Sequence, residues 1–118
     1  MHKTDVVIIG AGPVGLFAVF ELGLLNLNCH LIDNLDKVGG QCSELYPEKP
    51  IFDIPSHVSI SGQELVDKLM DQIKAFQPIF HLGQQAKTIE KNNDGTWKIT
   101  TSENNSIICQ CIVIAGGA

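Results

Sequence analysis

The sequence predicts a three-layer α/β domain, with helices on one face of a parallel sheet and a small antiparallel meander on the other. Two observations support this fold class. A strand over residues 5–9, a glycine turn, a helix over 13–25 and a second strand over 28–33 form a βαβ unit, whose strands run parallel. Strand-like runs over 86–90 and 96–101 flank a turn rich in Asn, Asp and Gly, which is typical of a hairpin.

Each part of the βαβ unit has its own signal. Residues 5–9 are a short β-branched run bounded by glycine, as in strands buried on both faces. Pro13 suits the first helical turn, where its missing N–H has no partner to lose. The helix that follows is apolar nearly all round, so we expect it to be buried. Its large apolar residues are Val14, Leu16, Phe17, Val19, Phe20, Leu22, Leu24 and Leu25.

The rest of the chain adds a loop, a helix and two strands. Residues 36–60 contain two glycines and three prolines without a sustained period, which indicates a functional loop or disorder. Ser61 and Glu64 predict a capping box that opens a helix, and a brief strand is expected at 78–81. Residues 107–115 predict a buried strand running into glycines. A strand that runs into a glycine turn normally leads to another helix or strand. Because no such element follows here, we expect the chain to be a fragment.

Composition excludes several classes of function. The chain has 118 residues, 44% of them apolar, enough for the core of one domain. Its net charge of −5 and its lack of arginine argue against nucleic acid or anionic lipid as partners. No apolar run reaches the roughly 18 residues of a membrane span. The four cysteines and four histidines lack metal-site spacing, so no metal site is predicted. We expect a soluble, cytoplasmic protein.

A glycine fingerprint between the first strand and the first helix predicts dinucleotide binding. Gly10, Gly12 and Gly15 fit G-x-G-x-x-G, in which the glycines allow a tight turn, close approach of a pyrophosphate, and packing of helix on strand. Asp33 ends the second strand, where a carboxylate receives ribose hydroxyls. The alternative is a glycine turn that only allows the helix to pack on the strand and binds no nucleotide. The residues predicted to bind are Gly10, Gly12, Pro13, Val14, Gly15 and Asp33.

The carboxylate of Asp33 restricts the choice of dinucleotide. It repels a 2′-phosphate and no Arg stands nearby, which excludes NADP here and leaves NAD and FAD open. FAD is favoured because the bare backbone of Gly39, Gly40 and Gln41 follows the second strand and could lie along an extended cofactor. Residues 109–116 also resemble the second flavoprotein fingerprint, and the hairpin resembles the β-meander of that superfamily. We therefore predict an FAD/NAD(P)-binding Rossmann-like domain over residues 1–118.

The loop after the second strand lacks the redox pair of glutathione-reductase-like enzymes. Those enzymes carry Gly-Gly-x-Cys and a second Cys five residues later, whereas this chain has Cys42 followed by Pro47. One thiol cannot form an intramolecular disulfide, so Cys42 is interpreted as a small loop residue.

Residues 39–53 closely resemble the thioredoxin-reductase-like (type 2) ferredoxin–NADP reductases, which carry Gly-Gly-Gln-Leu-x-x-Leu-Tyr-Pro-Glu-Lys, then an apolar residue and Asp. The Leu-Tyr-Pro-Glu-Lys string at 45–49 is specific, whereas the glycine fingerprints are shared across the superfamily. Cys42 departs from the usual leucine. The likeness covers all 118 residues but only about the first third of a typical member. It extends to residues 9–17, 62–65, 85–86 and 113–116.

The resemblance implies FAD-dependent electron transfer between NADPH and ferredoxin or flavodoxin, with NADPH bound by a domain outside this chain. It also implies that Asp33 holds the adenosine ribose, that Gln41 lies along FAD, and that Ala86 contacts the adenine end through its backbone. Tyr46 is expected to pack against the isoalloxazine, the alternative being a loop aromatic that covers the core. No catalytic side chain is predicted, and the full-length protein is expected to be a homodimer. Gly40 and Gly116 complete the predicted FAD site.

Two alternatives remain open. A thioredoxin reductase would need a C-x-x-C in a domain outside this chain, and the string at residues 46–49 argues against it. A non-catalytic FAD- or NAD-binding module would need no further domain.

Overall fold

A computed structural model describes residues 1–117, and Ala118, the last residue of the predicted closing turn, lies outside them. The central sheet has four strands, all parallel, which confirms the predicted fold class. Numbered along the chain and given in spatial order, they are β10 (Cys111–Ile114), β2 (Val6–Ile9), β3 (Cys29–Asp33) and β6 (Ile79–Leu82).

Two helices cover one face of this sheet. α1 (Pro13–Leu24) follows β2, and α3 (Gly62–Ile73) precedes β6. α3 begins at the predicted capping box: the Glu64 N–H donates to Ser61 Oγ over 3.1 Å, and the Ser61 N–H donates to Glu64 Oε1 over 3.2 Å. The larger of the two apolar cores lies on this side. Its buried residues are Val6, Ile8, Ala11, Leu16, Val19, Cys29, Leu31, Val66, Leu69 and Ile73.

An antiparallel meander covers the other face, as predicted. Its strands β7 (Ala86–Lys91), β8 (Trp97–Thr101) and β9 (Ser106–Cys109) pair in sequence order, and β1 (His2–Lys3) adds in parallel to β9. A second, smaller core lies between the meander and the parallel sheet. It consists of Val7, Ile32, Ile99, Ile107 and Cys109.

The segment predicted as an irregular loop over 36–60 contains short elements. α2 spans Gly40–Glu44, and β4 (Pro50–Ile51) pairs antiparallel with β5 (Ile60–Ser61). A helix of five residues and strands of two are too short to leave a period in the sequence.

The single buried strand predicted over 107–115 is wrong. The chain leaves the meander after Cys109 and enters the parallel sheet at Cys111, and the N–H groups of Gln110 and Cys111 both donate to the Asp5 carbonyl, over 3.0 and 3.2 Å. Because β9 and β10 are both apolar, the sequence shows one continuous run. β10 lies at the sheet edge, where Ile114 is 75% exposed.

Burial all round the first helix is also a wrong prediction. α1 buries only the side that packs on the sheet and on α3, while Val14 is 72% exposed and Leu24 is 59% exposed. A high apolar content does not show which side of a helix is covered. Among residues 1–117, no helix is long and apolar enough to cross a membrane.

Candidate functional site

The first glycine loop joins β2 to α1 at the carboxyl edge of the parallel sheet. Gly10 has a φ of 114°, and a Cβ there would overlap the carbonyl of Ala115, so the position requires glycine. A Cβ at Gly15 would overlap the carbonyl of Gly10, so α1 packs closely on the loop. The first helical hydrogen bond runs from the Leu16 N–H to the Gly12 carbonyl over 2.9 Å. The earlier N–H groups of α1 have no partner within the helix and can bind an anion.

Asp33 ties the end of β3 to this loop. The Ala11 N–H donates to its Oδ2 over 2.7 Å, and the Leu35 N–H donates to its Oδ1 over 2.9 Å. Hydrogen bonds to an ionised carboxylate are stronger than neutral ones, so this contact fixes the loop. Each carboxylate oxygen keeps further acceptor capacity. Asp33 therefore positions the glycine loop and still presents an acceptor at the sheet edge.

A second glycine loop lies directly against the first. The Gly39 N–H donates to the Ala11 carbonyl over 2.8 Å, and a Cβ at Gly40 would lie 3.1 Å from the Gly12 Cα. The two loops therefore meet backbone to backbone. Gly40 and Gln41 lie at the start of α2, directly after the left-handed Gly39, and both line the larger cavity at this edge.

Two cavities open at this edge and share Asp33, Asn34 and Gly116 in their walls. The larger has a volume of about 550 Å³ and the smaller about 230 Å³. Of the predicted residues, the larger cavity is lined by Gly12, Pro13, Val14, Asp33, Gly40, Gln41 and Gly116. The smaller is lined by Gly10, Asp33, Ala86 and Gly116. The structure thus brings most of the predicted site together.

Two predicted residues lie outside both cavities. Gly15 packs beneath the first loop, and Tyr46 lines a third cavity of about 420 Å³. Lys49 Nζ lies 4.7 Å from the centroid of the Tyr46 ring, within cation–π range. Cys42 lines both the first and the third cavity, so the two regions are neighbours.

Sequence reasoning missed several wall residues. Asn34 and Leu35 follow Asp33, and Ala115 precedes Gly116, so adjacency to predicted residues could have found them. Gln84 lines the smaller cavity and belongs to no motif, so no local signal marked it.

The chemistry of the two cavities favours binding over acid–base catalysis. Among the described residues that line them, only Asp33 and Cys42 carry titratable side chains. The remaining polar groups are backbone amides, side-chain amides and a helix N-terminus, which suit a phosphorylated ligand with ribose hydroxyls. Within residues 1–117, no group of three His, Cys, Asp or Glu side chains is placed to hold a metal ion.

This geometry agrees with a known family. Residues 8–73 match the NAD(P)-binding Rossmann-like domains, and the match spans more than half of the chain. The chain belongs to this family. The fold predicted from the βαβ unit and the glycine fingerprint is therefore confirmed, and the role of this Rossmann-like domain is to bind a nucleotide cofactor.

Curated relatives cover nearly all of this Rossmann-like domain. The ferredoxin–NADP reductase of Bradyrhizobium sp. (strain ORS 278) is 60% identical over 115 residues, which are 98% of this chain and 34% of the relative. Ferredoxin–NADP reductase 1 of Christiangramia forsetii is 58% identical over 117 residues, 99% of this chain and 33% of the relative. The chain spans about a third of the length of these relatives. The resemblance predicted from the loop at residues 39–53 is confirmed.

Solved structures show the same fold. The thioredoxin reductase of Streptococcus pyogenes MGAS5005 superposes with a TM-score of 0.85 at 27% identity, over 98% of this chain and 36% of that protein. This is a likeness of fold.

Proposed function

We propose that this domain is the FAD-binding part of a flavoprotein that passes electrons between NADPH and ferredoxin or flavodoxin. The supporting observation is the backbone cradle of Gly12 and Gly40 beside Asp33, in a chain 60% identical over 115 residues to a ferredoxin–NADP reductase. In this proposal residues 1–118 form the FAD-binding domain, and NADPH binds to a domain outside them.

The cradle fits a dinucleotide on two counts. Bare backbone at Gly12 and Gly40 lets a diphosphate approach the first amides of α1, and a side chain at Gly40 would fill that approach. The Asp33 carboxylate accepts hydroxyls and repels a 2′-phosphate. The fit therefore favours FAD or NAD over NADP, and the relatives favour FAD.

The residues of the chain would bind and orient the cofactor. The α1 amides beyond Gly12 and Pro13 would hold the diphosphate, Asp33 the adenosine ribose, and the backbone at Ala86 the adenine end. When bound, FAD supplies the redox chemistry, because a flavin exchanges hydride with a nicotinamide and single electrons with a one-electron partner. The remaining proposed contacts are Gly10, Val14, Gly15, Gly40, Gln41, Tyr46 and Gly116.

Further proposals concern the whole protein. We propose that it is a cytoplasmic homodimer. The net charge of −5 on this chain does not favour an acidic ferredoxin as its partner. The docking surface for such a partner therefore lies in the rest of the protein.

The first test is the visible absorption spectrum of the purified chain, followed by identification of any released cofactor. We expect a flavin spectrum and FAD on release. A colourless protein that takes up no added FAD would contradict the proposed cofactor.

Asp33→Ala tests the ribose contact. Loss of a charged hydrogen-bond acceptor is expected to weaken FAD binding about 10- to 100-fold. Cys42→Ser is the matched control, because Cys42 lines the same cavity. This variant should keep its flavin. Affinity should be measured by fluorescence titration beside a melting curve. Unchanged flavin content in Asp33→Ala, or flavin loss in Cys42→Ser, would overturn these assignments.

The electron-transfer proposal is tested on the polypeptide isolated from its native source. We expect a mass near three times that of this chain and ferredoxin-dependent oxidation of NADPH. A polypeptide that instead reduces thioredoxin through a C-x-x-C would be a thioredoxin reductase. One no longer than this chain would be a binding module.

A further inference from the structure

The turn between β8 and β9 reaches Gln84 in the wall of the smaller cavity. The N–H groups of Glu103 and Asn105 donate to Thr101 Oγ1 over 3.3 and 3.2 Å. The buried Thr101 hydroxyl in turn donates to Gln84 Oε1 over 2.7 Å, and Asn105 Nδ2 donates to the same oxygen over 2.9 Å. Four hydrogen bonds thus converge on one hydroxyl and one carbonyl oxygen.

These bonds determine which way the Gln84 carboxamide faces. Backbone N–H groups can only donate, so the Thr101 hydroxyl accepts from them and uses its single proton toward Gln84. The atom that receives this proton must be the side-chain oxygen. Nε2 is therefore on the other side of the carboxamide, and no group within residues 1–117 accepts a hydrogen bond from it. Its two protons are available to a ligand.

The backbone around Gln84 is also held in place. Its N–H donates to the Asp33 carbonyl over 3.0 Å, which joins it to the end of β3. The next residue, Gln85, donates from its N–H to Ser102 Oγ over 3.0 Å and accepts from the Ser102 N–H over 2.8 Å. The side chain is thus pre-organised beside the carboxylate that is the proposed ribose acceptor.

We propose that Gln84 is a base-recognition residue, whose Nε2 donates to a ring nitrogen of the purine of the bound dinucleotide. This inference rests on the proposed function, because it takes the 230 Å³ cavity beside Asp33 and Ala86 as the adenine end of the FAD site. Adenine carries unprotonated ring nitrogens that accept hydrogen bonds. Thr101 and Asn105 are positioning residues, because they fix the carboxamide.

The test is calorimetric titration of the purified chain with FAD, using two variants at position 84. Gln84→Leu removes the donors and the acceptor. Gln84→Glu keeps an acceptor for Thr101 and Asn105 but has no donor at neutral pH. We expect both variants to bind FAD about 10-fold more weakly than the wild type. Gln110→Leu is the matched control, since Gln110 is exposed and lines neither cavity, and it should keep wild-type affinity.

The outcomes separate this inference from the proposed function. A wild-type chain that binds no FAD contradicts the proposed function. If the wild type binds FAD and either Gln84→Leu or Gln84→Glu binds it equally tightly, the role of Nε2 is overturned. The proposed function is not affected by that result. Thr101→Ser keeps the hydroxyl and should keep the affinity, whereas Thr101→Val should weaken binding. Equal affinities in those two variants would overturn the positioning role. Melting curves identify any variant that fails to fold.

Discussion

The two faces of β3 contact layers of different chemistry. Toward the helices, Cys29 and Leu31 join the larger apolar core. Toward the meander, Ile32 lies in the smaller core, while His30 is buried with its Nδ1 2.9 Å from Nε2 of His81. Around Leu31 the helix-facing layer therefore depends on filled volume. The meander-facing layer depends in addition on protonation and hydrogen-bond direction.

A third histidine, His2, lies beside the buried pair. The ring centroid of His2, on β1, lies 5.5 Å from that of His30 and 5.2 Å from that of His81. Burial, with the nearby charges of His81 and His2, lowers the pKa of His30 to about 4. Burial and His2 also lower the pKa of His81. The buried pair is therefore neutral near pH 7, with one ring nitrogen donating to the other.

The largest expected effect is on the apolar face. Leu31→Ala should lower the free energy of unfolding by about 2–5 kcal/mol, because Leu31 is fully buried and its removal leaves a cavity. The loss should be the same at pH 7.5 and pH 5.5, measured by urea unfolding. Leu24→Ala, at a position 59% exposed, is the control and should change stability little. A loss of stability in Leu31→Ala that changes with pH would contradict the proposed difference between the two layers.

A smaller effect is expected from breaking the histidine pair. His81→Phe leaves the buried Nδ1 of His30 without its partner, which should cost about 1–3 kcal/mol at pH 7.5. The double variant His30→Phe/His81→Phe removes both polar partners and should cost less than the single variant. Chemical denaturation of the three proteins measures the difference. A double variant less stable than His81→Phe would show that packing, and not pairing, governs this face.

The pH dependence of the wild type should come from the same pair. Because the folded-state pKa of His30 lies below its usual 6.5, the unfolded chain takes up the proton first as the pH falls. The contribution of His30 to stability should therefore be fully present above about pH 6.5, decline by at most about 1.4 kcal/mol per pH unit as the pH falls, and level off below about pH 4. The lowered pKa of His81 should act in the same direction.

Other nearby charges act elsewhere in the fold. The shifts at His30 and His81 come from burial and from the neighbouring histidines, whereas Lys3 acts on Asp94 and Asp5 acts on Cys29. Subtracting the curve of the His30→Phe/His81→Phe variant from that of the wild type isolates the contribution of the pair. Identical slopes between pH 6.5 and 4 would contradict this assignment.

The smallest expected effect concerns the N-terminal end of α3, in the layer of helices. Ser61→Ala removes the cap of the Glu64 N–H and should lower stability by about 1 kcal/mol. Ser61→Thr keeps the hydroxyl and should lose little. Thermal unfolding at pH 7.5 and 5.5 should show the same loss at both, because this layer contains no buried histidine. Equal stability of the Ala and Thr variants would show that the cap contributes nothing measurable.

Local patterns were sufficient to predict much of the fold and of the candidate site. Three features depend on residues that are close together in the sequence, so their spacing is visible there. They are the βαβ unit, the capping box of Ser61 and the glycine fingerprint. Asp33 was predicted because it ends a strand at a fixed distance from that fingerprint. The loop at residues 39–53 indicated the family through its specific string. No long-range contact is needed to recognise any of these.

The tertiary structure alone decided which side of each apolar element is covered. Residues 107–115 read as one strand, but pairing divides them at Gln110 between two sheets. The exposure of Ile114 follows from the place of β10 at the sheet edge. The contact of His30 with His81 joins positions 51 residues apart, and the orientation of Gln84 is fixed from the turn after Thr101. A sequence carries the apolarity and hydrogen-bonding capacity of each residue, but which neighbour meets it depends on how distant strands are ordered.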